Sequence, residues 1–120
     1  MRMRGTGIAG AILIMAAMPA RAAPVAPGTI DEDLRCLAVM ASLAGNASGE
    51  EQNRIMGGVL YFVGLIEGKA PAADLVTELK RVSAEMSEAD FDQAAQRCGQ
   101  KLQEKGRQLD AIGQALEPSK

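Results

Sequence analysis

The two cysteines are the side chains in this sequence best suited to covalent chemistry. Cys36 and Cys98 lie 62 positions apart, each on the apolar face of a predicted helix. A redox site favours close spacing and an exposed thiolate of low pKa, as in Cys-x-x-Cys, and that pattern is absent. We therefore predict one structural intramolecular disulfide, which contributes about 4 kcal/mol on the chain-entropy model because the closed loop is long.

Other groups that support catalysis or bind metals are scarce. The 120 residues include no histidine, which excludes Ser-His-Asp and Cys-His catalysis and imidazole metal sites. Asp31/Asp33 and Asp90/Asp92 have the Asp-x-Asp form that binds hard cations, yet both pairs lie in the first turn of a predicted helix, where carboxylates interact favourably with the helix dipole. We favour this helix-dipole role and predict a protein that is not an enzyme and holds neither a metal nor a cofactor.

The N-terminal segment has the layout of a secretory signal peptide. Arg2 and Arg4 are followed by the apolar run 8–18 and by a small-x-small end at Ala22, the pattern that signal peptidase recognises. The alternative is a membrane anchor, but the apolar run is too short to cross a hydrocarbon core of about 30 Å. We predict cleavage after Ala22, no stable membrane insertion afterwards, and a periplasmic or secreted location.

Removal of residues 1–22 makes the chain acidic. Ten basic and 15 acidic residues remain, a formal net charge of −5. This charge and the three aromatic residues argue against a nucleic-acid partner, which needs a basic surface and stacking platforms. Residues 23–28, with two prolines, predict an extended tether, and residues 29–120 a helical domain.

Helix signals divide that domain into four helices, which predicts an all-α, small four-helix domain in an up-down arrangement. Thr29 and Glu32 are spaced as a capping box for the first helix, which should be largely buried up to a stop at Gly45-Asn46. Ser48 and Glu51 repeat the capping signal for the second helix.

The second helix contains twelve uncharged residues, 55–66. Periodicity alone does not separate a buried helix from a buried strand here, and the composition of residues 59–63 is strand-like. The upstream cap and the length of the run favour a helix, which we expect to be the central element and to end at Gly68 and Pro71.

The last two helices are amphipathic. Residues 74–86 carry one apolar stripe, and Ser87 and Asp90 are spaced to cap the final helix, which we expect to run to about Leu116. The apolar row of the final helix comprises Phe91, Ala95, Cys98, Leu102, Leu109, Ile112 and Leu116.

Glycines recur every seven residues in two of the predicted helices. Each glycine costs about 1 kcal/mol relative to alanine inside a helix, so repeated glycines at one spacing indicate either close helix packing or a loose, mobile helix. We favour close packing. The glycines are Gly57 and Gly64 in the second helix, and Gly99, Gly106 and Gly113 in the last.

The signal peptide, the helices and the positions of the cysteines resemble those of known protein families. A small exported helical chain with one cysteine in its first helix and another in its last resembles the HdeA/HdeB acid-stress periplasmic chaperones. That resemblance implies a disulfide joining helices and an apolar surface, exposed at low pH, that binds unfolding clients. More broadly, the chain resembles uncharacterised exported small helical proteins of Gram-negative bacteria.

Residues 61–68 resemble a second family. The pattern Tyr-x-x-Gly-x-x-acidic-Gly, carried here by Tyr61, Gly64, Glu67 and Gly68, is similar to the core of helical periplasmic immunity proteins that neutralise type VI secretion effectors. The resemblance implies that these four residues define the fold rather than catalyse a reaction.

We therefore expect a non-enzymatic periplasmic binding protein. The more specific form of this prediction is an acid-stress chaperone. Near pH 2 the net charge would change from −5 to about +11, and the resulting self-repulsion would loosen the helices. The alternative is an immunity-type protein that binds and blocks a secreted effector. The partners are then unfolded clients or one specific protein, and a homodimer along the edge formed by Leu102, Leu109 and Leu116 is a further option.

Overall fold

The computed structural model describes residues 29–118, and within them all regular structure is helical. The predicted signal peptide, residues 1–22, and the predicted tether, residues 23–28, lie outside the described residues. The all-α prediction is confirmed, and the uncharged run 55–66 forms helix rather than strand. The four helices are α1 (Asp31–Asn46), α2 (Gly49–Lys69), α3 (Leu75–Glu85) and α4 (Glu88–Leu116).

The first helix, not the second, is the central element. α1 packs against each of the other three helices and buries most of its apolar side chains, although Leu43 near its end is exposed. α2 buries only Gly58, Phe62 and Ile66, while Met56 and Leu60 on its other side are exposed. The expectation that α2 is central was wrong because α3 and α4 cover α1, so only one face of α2 has helices to pack against.

The predicted disulfide joins α1 to α4. Cys36 and Cys98 are bonded through their Sγ atoms, with their Cα atoms 5.4 Å apart. Both residues are fully buried in the core, beside Leu34, Leu37 and Val39. A buried cross-link between helices fits the structural role predicted from the sequence rather than a redox role, which needs an accessible sulfur.

The apolar row of α4 divides into two parts. Phe91, Ala95, Cys98 and Leu102 pack against the core cluster. Beyond them every residue from 107 to 118 is exposed, including the apolar side chains at 109, 112 and 116. The C-terminal half of α4 therefore extends past the helices that cover its first half.

Only one of the three predicted capping boxes forms. Thr29 lies in a turn ahead of α1 and makes no cap, and the Ser48 side chain makes no cap hydrogen bond to α2. Ser87 and Asp90 do form the reciprocal box at the start of α4. At the start of α3, a hydrogen bond from the Thr77 amide lowers the pKa of Asp74, the N-cap residue.

The glycine prediction was wrong for packing within this chain. A Cβ atom added at Gly57, Gly64, Gly99, Gly106 or Gly113 would meet no described heavy atom within 4 Å. These glycines lie beside the rows of residues through which their helices contact other helices, and not within those rows. The close approach occurs at Gly58, where an added Cβ would lie 2.8 Å from Leu102 Cδ1 and 3.3 Å from Met40 Sδ.

The neighbouring glycines of α2 provide a matched test of this geometry. Gly58→Leu should lower the free energy of unfolding by about 1–3 kcal/mol, because the new side chain overpacks the junction of α1, α2 and α4. Gly57→Leu should be neutral or stabilising by up to about 1 kcal/mol, since the site is open and leucine favours helix. Denaturant unfolding of both variants measures the difference, and equal effects would contradict the contact.

The Ser87–Asp90 capping box should make the stability of α4 depend on pH. Hydrogen bonds from the Ser87 amide and hydroxyl hold the pKa of Asp90 below its usual value. The ionised carboxylate therefore stabilises the fold above the unfolded-state pKa, and this contribution is lost as the pH falls through the lower folded-state pKa.

We expect Asp90→Asn to lower the melting temperature at pH 7, and the difference from the unsubstituted protein to shrink below about pH 4. Ser87→Ala should cost about 1 kcal/mol at pH 7 through the lost cap. Thermal unfolding between pH 7 and pH 3 tests both, and a difference for Asp90→Asn that does not change with pH would contradict the assignment.

Candidate functional site: a cationic groove beside an acidic clamp

Three successive carboxylates at the start of α1 connect this helix to the other three. Asp31 pairs with Arg81 of α3, Glu32 with Arg97 of α4, and Asp33 with Lys69 of α2. Consecutive helical residues point about 100° apart, so three in a row reach three different neighbours. We call these three ion pairs the acidic clamp.

The three ion pairs differ in their exposure to water. Asp33 is 3% exposed and accepts a hydrogen bond of 2.5 Å from Lys69 Nζ, whose side chain is about half exposed. Arg81 Nη2 lies 2.7 Å from Asp31 Oδ1, and Arg97 Nε lies 3.0 Å from Glu32 Oε1. The Asp33 pair is the most protected, and the Glu32 pair is the most open to solvent.

Arg81 is held by several carboxylates at once. Its guanidinium donates hydrogen bonds to Asp31 and Glu78 and lies 3.6 Å from Glu85. The bonds to Asp31 and then Glu78 raise the pKa of Arg81 above its usual range. These hydrogen bonds therefore favour the charged form of the guanidinium.

A groove of about 810 Å³ opens between the C-terminal part of α2 and the middle of α4. Three of its lining residues, Asp33, Lys69 and Arg97, also belong to the acidic clamp. Tyr61 and Leu65 provide its apolar wall from α2. The remaining charged residues that line it are Lys101, Glu104, Lys105 and Arg107.

The groove is cationic on a chain whose predicted exported form is acidic. Five basic side chains line it against two carboxylates, and both carboxylates are already paired, Asp33 with Lys69 and Glu104 with Arg107. The Arg107 guanidinium also lowers the pKa of Glu104, which keeps that pair ionised. Lys101 and Lys105 are left to attract an anionic group.

Three of the four aspartates in the two Asp-x-Asp pairs contact other groups. Asp31 and Asp33 contact basic side chains on different helices, and Asp90 caps α4. Asp92 is exposed and lies outside the described ion pairs. Among residues 29–118 no three acidic or cysteine side chains come together as metal ligands would.

The four residues of the predicted family-like motif differ in their exposure. Tyr61 is half-buried, lines the groove and contacts Phe62 edge to face with ring centroids 5.1 Å apart. Gly64, Glu67 and Gly68 are exposed, and an added Cβ at either glycine would meet no described atom within 4 Å. The motif therefore contributes Tyr61 to the groove, and neither glycine marks a close helix contact.

A smaller cleft of about 390 Å³ lies on another part of the surface. Ser42 of α1 and Ser83 of α3 line it together with Met86 and Phe91. The one ionisable side chain in its lining is Glu88, at the start of α4. Among the described residues, the Ser42 and Ser83 hydroxyls form no hydrogen bond to this carboxylate.

Two further findings concern the chain as a whole. Within residues 29–118, no helix combines the length and the apolar character needed to cross a membrane. Neither a family model nor a curated protein nor a solved structure matches this chain.

Proposed function

We propose that this protein is a non-enzymatic periplasmic binding protein that captures unfolding clients under acid stress. The observation that supports this proposal is the acidic clamp, in which three carboxylates of α1 pair with basic side chains of α2, α3 and α4. A protonated carboxylic acid carries no charge to pair with lysine or arginine. Acid therefore weakens one ion pair between α1 and each of the other helices.

Loss of the clamp in acid is reinforced by the charge of the whole chain. After removal of residues 1–22, the formal net charge of −5 becomes about +11 near pH 2. Arg81, Arg97 and Lys69 then remain charged beside neutral partners, and their mutual repulsion favours separation of the helices. Separation exposes the apolar core, of which Leu34, Phe62 and Ile66 are among the largest buried members.

The disulfide limits how far the opened chain separates. Cys36 lies one turn after Glu32 on α1, and Cys98 follows Arg97 on α4. When acid breaks the Glu32–Arg97 pair, the adjacent covalent bond keeps the two helices together. The same bond fits a periplasmic location, since disulfides persist in oxidising compartments.

Neutral substitutions that imitate protonation test the proposal. The variant Asp31→Asn/Glu32→Gln/Asp33→Asn should suppress aggregation of an acid-labile client at a higher pH than the unsubstituted protein does, because its clamp is already uncharged. A control with the same charge change, Glu50→Gln/Glu51→Gln/Asp92→Asn, alters exposed carboxylates outside the described ion pairs. Light scattering of the client from pH 7 to pH 2 gives the activation midpoint.

We expect the midpoint of the clamp variant to move upward by about one pH unit or more, and that of the control to stay near the unsubstituted value. An unsubstituted protein that fails to protect the client at pH 2–3 would rule out the chaperone function. Equal shifts in both variants would assign the effect to net charge instead of the clamp.

The cationic groove favours a second candidate, an immunity-type protein that blocks a secreted effector. Lys101 and Lys105 present positive charge beside the apolar wall of Tyr61 and Leu65. This combination suits an acidic protein surface with an apolar anchor, bound at neutral pH when its carboxylates are ionised. Such a partner would be recovered specifically, whereas chaperone clients would be numerous.

Capture from periplasmic extract at pH 7 and pH 3 separates the two candidates. One partner bound at pH 7, lost at least tenfold with Lys101→Glu/Lys105→Glu and retained with the control Arg54→Glu/Lys80→Glu, supports the immunity function. Arg54 and Lys80 are exposed and lie outside the groove. Broad capture at pH 3 alone supports the chaperone function.

A further inference from the structure

The exposed half of α4 carries a second apolar surface, separate from the core. Leu109, Ile112 and Leu116 are 60%, 54% and 78% exposed, and they continue the row that Cys98 and Leu102 begin inside the core. The spacing from Cys98 to Leu116 alternates between four and three residues, the repeat of a helix that packs along another helix. Lys105 is the one polar side chain in this row.

The exposed part of α4 gains little packing from the other described helices. Most helical stability in proteins comes from packing an apolar face. Gly106 and Gly113 weaken the intrinsic helix preference further. Even so, α4 remains helical as far as Leu116, beyond the last residue that the described helices cover.

Charge along α4 indicates what the partner is. The stretch 97–107 holds four basic residues and one acidic residue. In the stretch 108–117 the only charged residues are Asp110 and Glu117, and both are acidic. The last turn carries no basic residue to offset the negative end of the helix dipole. A second α4 running in the opposite direction would place its basic stretch beside this acidic end, and the reverse contact would form by symmetry.

We propose that two copies of this chain associate through the C-terminal halves of their α4 helices, packed antiparallel. Leu109, near the middle of the exposed row, faces the row of the other copy. Lys101 and Lys105 of each copy lie opposite Asp110 and Glu117 of the other. A parallel pair would set like charges side by side, so the charge order selects the antiparallel arrangement.

Sedimentation of the exported protein from micromolar to millimolar concentration tests the association. We expect a monomer–dimer equilibrium that Leu109→Arg weakens at least tenfold. The control Val76→Arg alters an equally exposed apolar residue, 62% exposed on α3, and should leave the equilibrium unchanged. Circular dichroism of dilute samples should show that both variants remain folded, because neither side chain belongs to the core.

Charge exchange provides the decisive measurement. Asp110→Lys/Glu117→Lys and Lys101→Glu/Lys105→Glu should each be monomeric alone, since in each variant positions 101, 105, 110 and 117 carry the same sign of charge. An equimolar mixture should recover the dimer, because the basic α4 of one variant then faces the acidic α4 of the other. A melting curve at low concentration confirms that each variant is folded before mixing.

Three outcomes would overturn the proposal. The first is an unsubstituted protein that stays monomeric at every concentration up to millimolar. The second is a dimer that both Leu109→Arg and Val76→Arg weaken equally. The third is a mixture of charge variants that stays monomeric while the unsubstituted chain dimerises.

Discussion

The first turn of α1 connects this helix to the other three. Asp31, Glu32 and Asp33 point in three directions from the start of α1, and each meets a basic side chain from a different helix. The Cys36–Cys98 bond follows within one further turn. Electrostatic and covalent connections between the four helices are therefore concentrated at this end of α1. The contacts farther along are made mainly by apolar side chains, with one hydrogen bond from the Gln52 side chain to the Ala44 carbonyl.

This concentration explains which surfaces are left uncovered. α2, α3 and α4 are each tied near the start of α1, so they cover α1 well and one another poorly. One face of α2 keeps Met56 and Leu60 exposed, and α4 extends beyond its neighbours after Leu102. An apolar surface outside the core is thus a consequence of a fold built around α1, and it is available for binding without any change of conformation.

The sequence predicted the helices well and the central helix poorly. Apolar spacing located all four helices, and the isolated pair of cysteines on apolar faces predicted the disulfide, because both signals are local or depend on a single pair. The choice of central helix depends on how the other three pack, and the long uncharged run of α2 favoured the wrong one.

The acidic clamp did leave a signal in the sequence. Three adjacent carboxylates at 31–33 point in three directions from a helix, and a favourable interaction with the helix dipole does not need three of them in a row. Their basic partners, at 69, 81 and 97, are distant in sequence and carry no pattern of their own.

The clamp and the groove share Lys69 and Arg97, and this links the two candidate functions to pH in opposite ways. At neutral pH the clamp is charged, the core is closed and the groove presents Lys101 and Lys105 to an acidic surface. Under the two proposed functions, acid would protonate the carboxylates of such a partner as well as those of the clamp. Recognition through the groove would then belong to neutral pH, and capture through apolar surface to acid. Because the two proposed modes of binding lie at opposite ends of the pH range, the pH at which the protein binds a partner distinguishes between them.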